Sequence, residues 1–310
     1  LYQGDAEKWL KLAYGLKARY TMHLLKRSAN KDADMEKVLE YVNNSFESAE
    51  EQAAFDVYDA NNINPLYGFF VARAGLGASE SMRSKLAEYN DPRLSRAFIT
   101  KQGTSGKEQA PGTADNAVYA PNGTPEQGTS KYGTSLFMYS ISAPTLLLSY
   151  HELKFLEAEA LCRLERDAKS ALKDAVVAGL LNAENSFTIS RKELGKTLIN
   201  AASSITEAEA ESYFDNTIEA KYTAEPLKTT MTQKYFALWG ASGEATESYN
   251  DVRRMKGLGE NFIELKNPNS FPLRCPYGNS DTTTNAEVKA AYGNGQYVYS
   301  ENVWWAGGSR

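Results

Sequence analysis

Between residues 5 and 27 apolar side chains recur every three or four positions, at Trp9, Leu12, Ala13, Leu16, Tyr20, His23 and Leu24, while Lys8, Lys11, Lys17 and Lys26 fill the positions between. This spacing predicts a long helix with one apolar stripe. A second helix is predicted over residues 35–46, with Val38, Leu39 and Val42 inward and Asp32 or Asp34 at its start, where a carboxylate favours the exposed N–H groups. Residues 1–46 therefore read as a helical hairpin. Periodicity is lost over 47–144, a stretch of Gly, Ser, Thr, Asn and Pro clusters that includes the low-complexity segment 103–133. Loops of this length inside a domain are commonly functional, which makes 47–144 the natural ligand face.

Helical spacing returns at Ala143, with Pro144 suited to a first turn and Leu147, Tyr150, Leu153, Leu156, Ala160 and Leu164 following. After a break at Arg166 and Asp167, Ala171, Ala175 and Ala178 line one side of a partner helix and let the two cross closely. The pair reads like one tetratricopeptide unit. Thr206 and Glu209 form a capping-box pattern ahead of Phe214, Ile218 and Tyr222; Met231, Tyr235, Leu238 and Trp239 mark a further helix, and a shorter one spans 244–256. Residues 145–256 thus form a helical body. Beyond Gly257 the chain turns Pro-, Asn- and Gly-rich, and Val303, Trp304 and Trp305 are expected to clasp the end of an irregular segment, 257–310.

Composition narrows the chemistry. With 310 residues, 42% hydrophobic and 24% charged, the chain can bury a substantial core, and a single domain over 1–310 is expected. A net charge of −5 without a basic stripe argues against nucleic acid as a partner. Nineteen tyrosines, each an apolar face with a hydroxyl, suit a wet recognition surface. Two histidines, His23 and His151, leave little material for a metal centre or a catalytic triad, and Cys162 and Cys275 can form at most one bridge. Glu157 and Glu159, two apart on a helix, face different directions and make a poor acid/base pair. Asn30, Asp32 and Asp34 open like a calcium loop, but Met35 and Tyr41 stand where that loop needs Gly and Glu. Asp56, Asp59 and Asn61 could still supply oxygens to a structural Ca2+. No cofactor is otherwise implied, and no apolar run reaches the ~18 residues of a membrane span. The sequence opens at Leu1 with helical pattern almost at once, so a leader or lipid-anchoring Cys is expected upstream.

Several segments, in order, resemble the SusD/RagB family of nutrient-binding proteins, in its branch with shorter loops. The run Gly4-Asp5-Ala6-Glu7-Lys8-Trp9-Leu10-Lys11-Leu12-Ala13 continues to Arg19 and is similar to the family's opening helix G-D-x-x-K-W-x-K-F-A-N-S-L-K-x-R. Asp91-Pro92-Arg93-Leu94 resembles its D-P-R-L, and Tyr150 through Ala160 its Y-A-E-x-x-F-x-x-A-E-A helix, with His151 in place of the usual Ala. Gln233 to Leu238, the pair Arg253-Arg254, Arg274-Cys275-Pro276-Tyr277 and Val303-Trp304-Trp305 continue the likeness. The resemblance implies an all-α fold of tetratricopeptide-like helical hairpins with long irregular loops on one face. It further implies a non-enzymatic, surface-exposed lipoprotein of the outer membrane, touching the membrane only through an N-terminal lipid anchor not present in this chain. Such a protein passes an oligosaccharide or polysaccharide ligand to a SusC-like TonB-dependent transporter, and a further N-terminal part would precede this chain.

The family carries no fixed ligand motif, so a site is argued from the loops. Sugar rings offer C–H faces to aromatic rings and hydroxyls to amides, and Tyr58, Asn61, Asn62, Asn64, Tyr67, Phe69 and Phe70 supply both in one short segment. The same aromatics could instead anchor a loop to the helices. Tyr119, with Tyr132, Phe137 and Tyr139, forms a second aromatic set with the same two readings. Arg93 could grip a carboxylate of a ligand or of the protein. The competing functions are a tetratricopeptide-type scaffold for protein partners, a peptide-binding rather than glycan-binding family member, and a hydrolase, for which no convergent acid and base are found.

Overall fold

In a computed structural model, described for residues 1–73, 76–99, 118–123, 132–194, 203–241, 243–267, 269–303 and 308, most of the chain is helical. Most of 103–133, and Trp304 and Trp305 of the expected clasp, lie outside the described residues. The helix α1 (Ala6–His23) starts where the Asp5 side chain accepts from the backbone N–H groups of Glu7 and Lys8. Asn30, not Asp32 or Asp34, caps α2 (Lys31–Asn43), and the two acids sit in its first turn. Both helices of the expected hairpin form. The stripe of α1 differs, however: its buried side chains are Leu12, Ala18, Arg19 and Met22, while Trp9, Tyr20 and Leu24 are exposed. The burial is rotated because Arg19, polar by type, is drawn inward by a buried carboxylate.

Residues 47–144 are more ordered than their composition suggests. They hold a short strand β1 (Ala53–Phe55), the helices α3 (Pro65–Arg73), α4 (Glu80–Glu88) and α5 (Arg93–Arg96), and two short strands, β2 (Phe98–Ile99) and β3 (Thr134–Ser135). Local capping supplies what periodicity does not: Ser79 caps α4 through the N–H of Met82. The expected helix start at Pro144 is instead a strand, β4 (Thr145–Leu148), paired antiparallel with β1. Its alternation leaves Leu147 exposed between buried Leu146 and Leu148, a period of two that a helical reading misassigns. α6 (Tyr150–Arg163) then begins at Ser149, whose hydroxyl accepts from the N–H of Glu152.

The body stacks hairpins. α2 packs on α1 and α6; α6 packs on α7 (Lys169–Leu194) and on α10 (Pro226–Leu238), which also meets α11 (Ala245–Leu258). Between α7 and α10 run α8 (Glu207–Tyr213), a π-turn over Phe214–Ile218 and α9 (Glu219–Ala224), and α8 carries the expected capping box of Thr206 and Glu209. The close crossing on α7 is made by Gly179, where an added Cβ would stand 2.9 Å from the Cβ of Ala237 on α10. The fold class is all-α with tetratricopeptide-like hairpins, and strands among the described residues form only two two-stranded ribbons.

Two apolar clusters fill this body. One gathers Phe98, Phe137, Phe155, Phe187, Phe214 and Phe236; the other gathers Leu12, Met22, Met35, Val38, Leu148, Leu153 and Leu156. Buried ion pairs tie the body's helices together. Arg254 forks onto Glu159, which also accepts from Arg163 at 2.8 Å, and Lys234 reaches Asp251 at 2.8 Å. Arg19 of α1 meets Glu152 of α6 with an Nε–Oε1 distance of 2.8 Å, and Arg96 forks onto Glu184. Each forked pair fixes two helices in one register, since buried charges hold only while partnered.

The chain's contacts divide it into two compact units, Leu1–Leu265 and Lys266–Arg310. The second, expected to be irregular, contains α12 (Asn279–Thr284) and α13 (Ala286–Tyr292), with Tyr277 and Tyr292 stacked at 4.3 Å. No helix among the described residues is long and apolar enough to cross a membrane.

Candidate functional site

The segment from β1 to α3 is built around two asparagine and aspartate turns. Asp59 Oδ1 accepts from the backbone N–H groups of Asn61 and Asn62 at 2.8 and 2.7 Å, which closes a tight loop at the tip. Asn64 is buried and works on both sides: its Oδ1 accepts from the N–H of Leu66 at 2.8 Å, opening α3, and its Nδ2 donates to the Ala143 carbonyl at 2.7 Å. The backbone N–H of Asn64 also donates to the Ile141 carbonyl at 2.8 Å. The loop is thereby pinned to the 141–143 turn that leads into β4.

On this frame the aromatic residues separate by role. The Phe70 ring is buried edge-to-face on Tyr139, with centroids 5.0 Å apart, and anchors α3. Phe69, its neighbour, is 52% exposed, and Tyr67 is half-buried on the same helix. Tyr58 is half-buried, its hydroxyl 2.7 Å from Thr145 Oγ1 and its ring 5.0 Å from Phe55. Asn61 and Asn62 are exposed, and Asn62 Nδ2 donates to the Val57 carbonyl at 3.3 Å. Tyr58, Asn61, Asn62, Tyr67 and Phe69 thus occupy one pinned surface segment, with Phe70 serving as its root.

Two other residues expected at the site lie elsewhere. Arg93 is 2% exposed; its Nε and Nη2 meet both oxygens of Asp91 at 2.8 and 2.6 Å, and Nη1 donates to the Phe236 carbonyl at 2.7 Å. Its fork is occupied inside the body, so the D-P-R-L run braces α5 against α10 and offers nothing to a ligand. Tyr119 packs edge-to-face on Phe98 at 5.2 Å beneath the Arg83 guanidinium. Of the oxygens expected for a structural Ca2+, Asp59 Oδ1 is engaged in its own turn, and among the described residues no group of three or more His, Cys, Asp or Glu could hold a metal ion. Cys162 and Cys275 are both free thiols.

A second concavity was not legible in the sequence. It encloses about 480 Å³ along the outer face of α7, between the turn at Ser48, the start of α6 and the first turns of α8. Val177, Ala178 and Leu181 line it with the ring of Tyr150, and Asn182 and Asn185 of α7 stand beside them. His151 lines it and is 1% exposed; burial first, then the positive charges of Arg93 and Lys234, lower its pKa to about 3 and keep it neutral. The only sequence signal was the run of polar and small residues at helical spacing on one face of α7.

An all-α body of tetratricopeptide-like hairpins that carries an aromatic and amide-bearing loop segment defines the class, a helical-hairpin binding protein. The chain belongs to the SusD-like family, whose model, described as starch-binding and associating with the outer membrane, matches residues 1–277. A SusD/RagB family protein of Bacteroides thetaiotaomicron, known from its crystal structure, is 66% identical and superposes with a TM-score of 0.92 over 100% of this chain. The chain spans 66% of that protein's length. A SusD homolog of Bacteroides fragilis (15% identity, TM-score 0.66) and an outer membrane protein of Bacteroides vulgatus associated with nutrient binding (20%, 0.68) share the fold. Each is matched over 98% of this chain and 68% of its own. No curated protein matches the chain.

Proposed function

We propose that the protein is a surface-exposed nutrient-binding subunit that captures a glycan or oligosaccharide and hands it to a SusC-type TonB-dependent transporter, without catalysing its breakdown. The observation that supports this reading is the pinned segment: Asn64 fixes α3 to the 141–143 turn, so the exposed Phe69 is presented by a braced helix in the same short segment as the exposed amides of Asn61 and Asn62. A preorganised aromatic ring with amides in its segment binds a sugar ring with little ordering cost. Among the buried carboxylates, Glu152, Glu159, Glu184 and Asp91 are each forked by an arginine and are unavailable as acid or base. The family's description supports outer-membrane placement, and a lipid anchor and the single body over 1–310 with the loop face at 47–144 are parts of the same proposal.

The test is a glycan array probed with the purified protein, followed by a reducing-sugar assay on every glycan retained. Retention without release of reducing ends is expected. Release would make the protein a hydrolase, and an array that retains no glycan while a peptide array does would move the ligand to the peptide class. Within a positive array, Tyr67→Ala with Phe69→Ala should weaken retention by at least tenfold while circular dichroism is unchanged; retention at the original level would remove the segment from the site.

A further inference from the structure

The groove on the outer face of α7 brings together the kinds of group that a sugar ring requires. Tyr150, at the start of α6, sets a half-buried ring beside the aliphatic Val177, Ala178 and Leu181. Its backbone N–H donates to Gln52 Oε1 at 3.2 Å, which fastens this wall to the turn that precedes β1. An aromatic face with aliphatic neighbours accepts the C–H side of a pyranose. Asn182 and Asn185 lie three residues apart on α7, about 4.5 Å along its axis. Each amide offers a donor and an acceptor together, the pair that a sugar hydroxyl can answer in either sense.

Charge decides which sugars fit. Among the described residues, the lining carries four carboxylates, Glu47, Asp174, Glu207 and Glu211, and one ammonium, Lys173. Lys173 is bonded to Asp215 at 2.8 Å and also feels the charge of Glu211. Lys11 meets Glu47 at 3.0 Å, Lys154 meets Asp174 at 3.4 Å, and the neutral imidazole of His151 adds no cation. The protein's own lysines thus already serve most of these carboxylates, which leaves little demand for a cation from a ligand. An anion would meet the remaining excess of negative charge. A hydroxyl meets neither difficulty, because it donates to a carboxylate and accepts from an amide or an ammonium.

The groove also adjoins the loop segment. Asn182 lines both the groove and a small cavity shared with Asn64 and Leu66, at the root of α3. We propose that the α7 groove is a second sugar-binding site, one that takes a neutral oligosaccharide and excludes acidic ones. One ring lies on Tyr150, and hydroxyls along the oligosaccharide donate to Glu207 and Glu211 and accept from Asn182 and Asn185. The volume of about 480 Å³ lies within the usual range for a small-molecule site. This inference rests on the reading that the protein captures a glycan, and adds to it the charge class of that glycan.

The experiment probes the whole chain on a glycan array of matched pairs, neutral glycans beside sialylated, sulfated or uronate forms of the same backbones. Neutral members should be retained about tenfold more strongly than their acidic partners. Tyr150→Leu, which keeps apolar bulk but removes the ring, and Asn185→Ala, at an exposed position, should each weaken neutral retention by about fivefold with circular dichroism unchanged. Glu207→Gln with Glu211→Gln keeps the shape and removes two charges, so the acidic partners should gain retention severalfold, most of all at low salt. Equal retention within the pairs, neutral retention unaltered by both Tyr150→Leu and Asn185→Ala, or acidic retention unaltered by the two glutamines would overturn the proposal. Retention lost in Tyr67→Ala with Phe69→Ala but kept in every groove variant would overturn the groove alone and leave glycan capture standing. An array that retains no glycan would overturn both.

Discussion

At the scale of single residues, the side chains that most resist a reading from composition are the buried ionisable ones. His151 stands where the family's helix usually has Ala, and it points a partnerless Nε2 toward Glu244 Oε2, 3.9 Å away and also without a hydrogen bond. Burial, and then the Glu152 carboxylate, push Glu244 well above the usual carboxylate range, so its protonated form is favoured. For His151 the folded pKa of about 3 lies below the ordinary 6.5. The stabilisation from keeping it neutral is full above pH 6.5 and is lost as pH falls toward 3. Glu244 acts with the opposite slope, gaining as pH falls, which is why the comparison must be with a variant lacking the imidazole alone. Relative to His151→Ala, the native chain should lose about 2–3 kcal/mol of stability between pH 6.5 and 4.5 in urea unfolding. Parallel stability curves for the two proteins would show that the imidazole is solvated in the folded state. Glu247 adds a later loss: burial opposes its ionisation, but the His23 hydrogen bond and Arg19 hold its carboxyl at about 2, so its contribution fades below pH 4.5.

At the scale of elements, glycine shows how the helices read and where they hide their reasons. Gly179 and Gly257 both lie inside helices, and intrinsic propensity alone gives Ala an advantage of about 1 kcal/mol at each. Their surroundings reverse one of the two. An Ala at 179 would press its Cβ to 2.9 Å from the Cβ of Ala237, a packed helix crossing that cannot yield, whereas at 257 the nearest atom is Lys26 Cδ at 3.0 Å, on a flexible side chain. Gly179→Ala should therefore destabilise by about 1–3 kcal/mol and Gly257→Ala should stabilise by about 0.5–1 kcal/mol, measured as shifts in denaturation midpoint. Equal signs at both positions would mean that α7 and α10 do not approach this closely. The helices α1, α2, α6, α7, α10 and α11 were legible because each has an apolar stripe longer than two turns or a capping pattern. β4 was not, because Leu146, Leu147 and Leu148 form an apolar run that helix and strand share, and only its pairing with β1 decides. The exposed Trp9 of α1 was misplaced, and the buried Arg19 went unread, for a related reason: Arg19 turns inward to Glu152, 133 residues away.

At the scale of the whole molecule, the proposed loop site was legible as a segment but not as a surface. Residues 58–70 announce their chemistry by type, yet nothing local says that Phe70 turns in and Phe69 out, or that Arg93 is closed by Asp91 and the Phe236 carbonyl 143 residues on. The α7 groove could not be read because its walls come from α6, α7 and α8, whose adjacency is a product of folding. The same long-range logic bears on how the chain divides. Both apolar clusters and every buried ion pair described above belong to Leu1–Leu265, while Lys266–Arg310 has the Tyr277–Tyr292 stack, the Arg274 guanidinium over Tyr277, and two short helices. A unit with its own apolar clusters and its own buried ion pairs meets the requirement for cooperative folding. Residues 1–265 expressed alone should therefore unfold in one sharp transition in urea, with calorimetric and van't Hoff enthalpies in agreement and the far-ultraviolet dichroism of a helical protein. A broad transition with weak dichroism would mean that the 45 residues from Lys266 to Arg310 complete the core of the body, and the loop site would then depend on them as well.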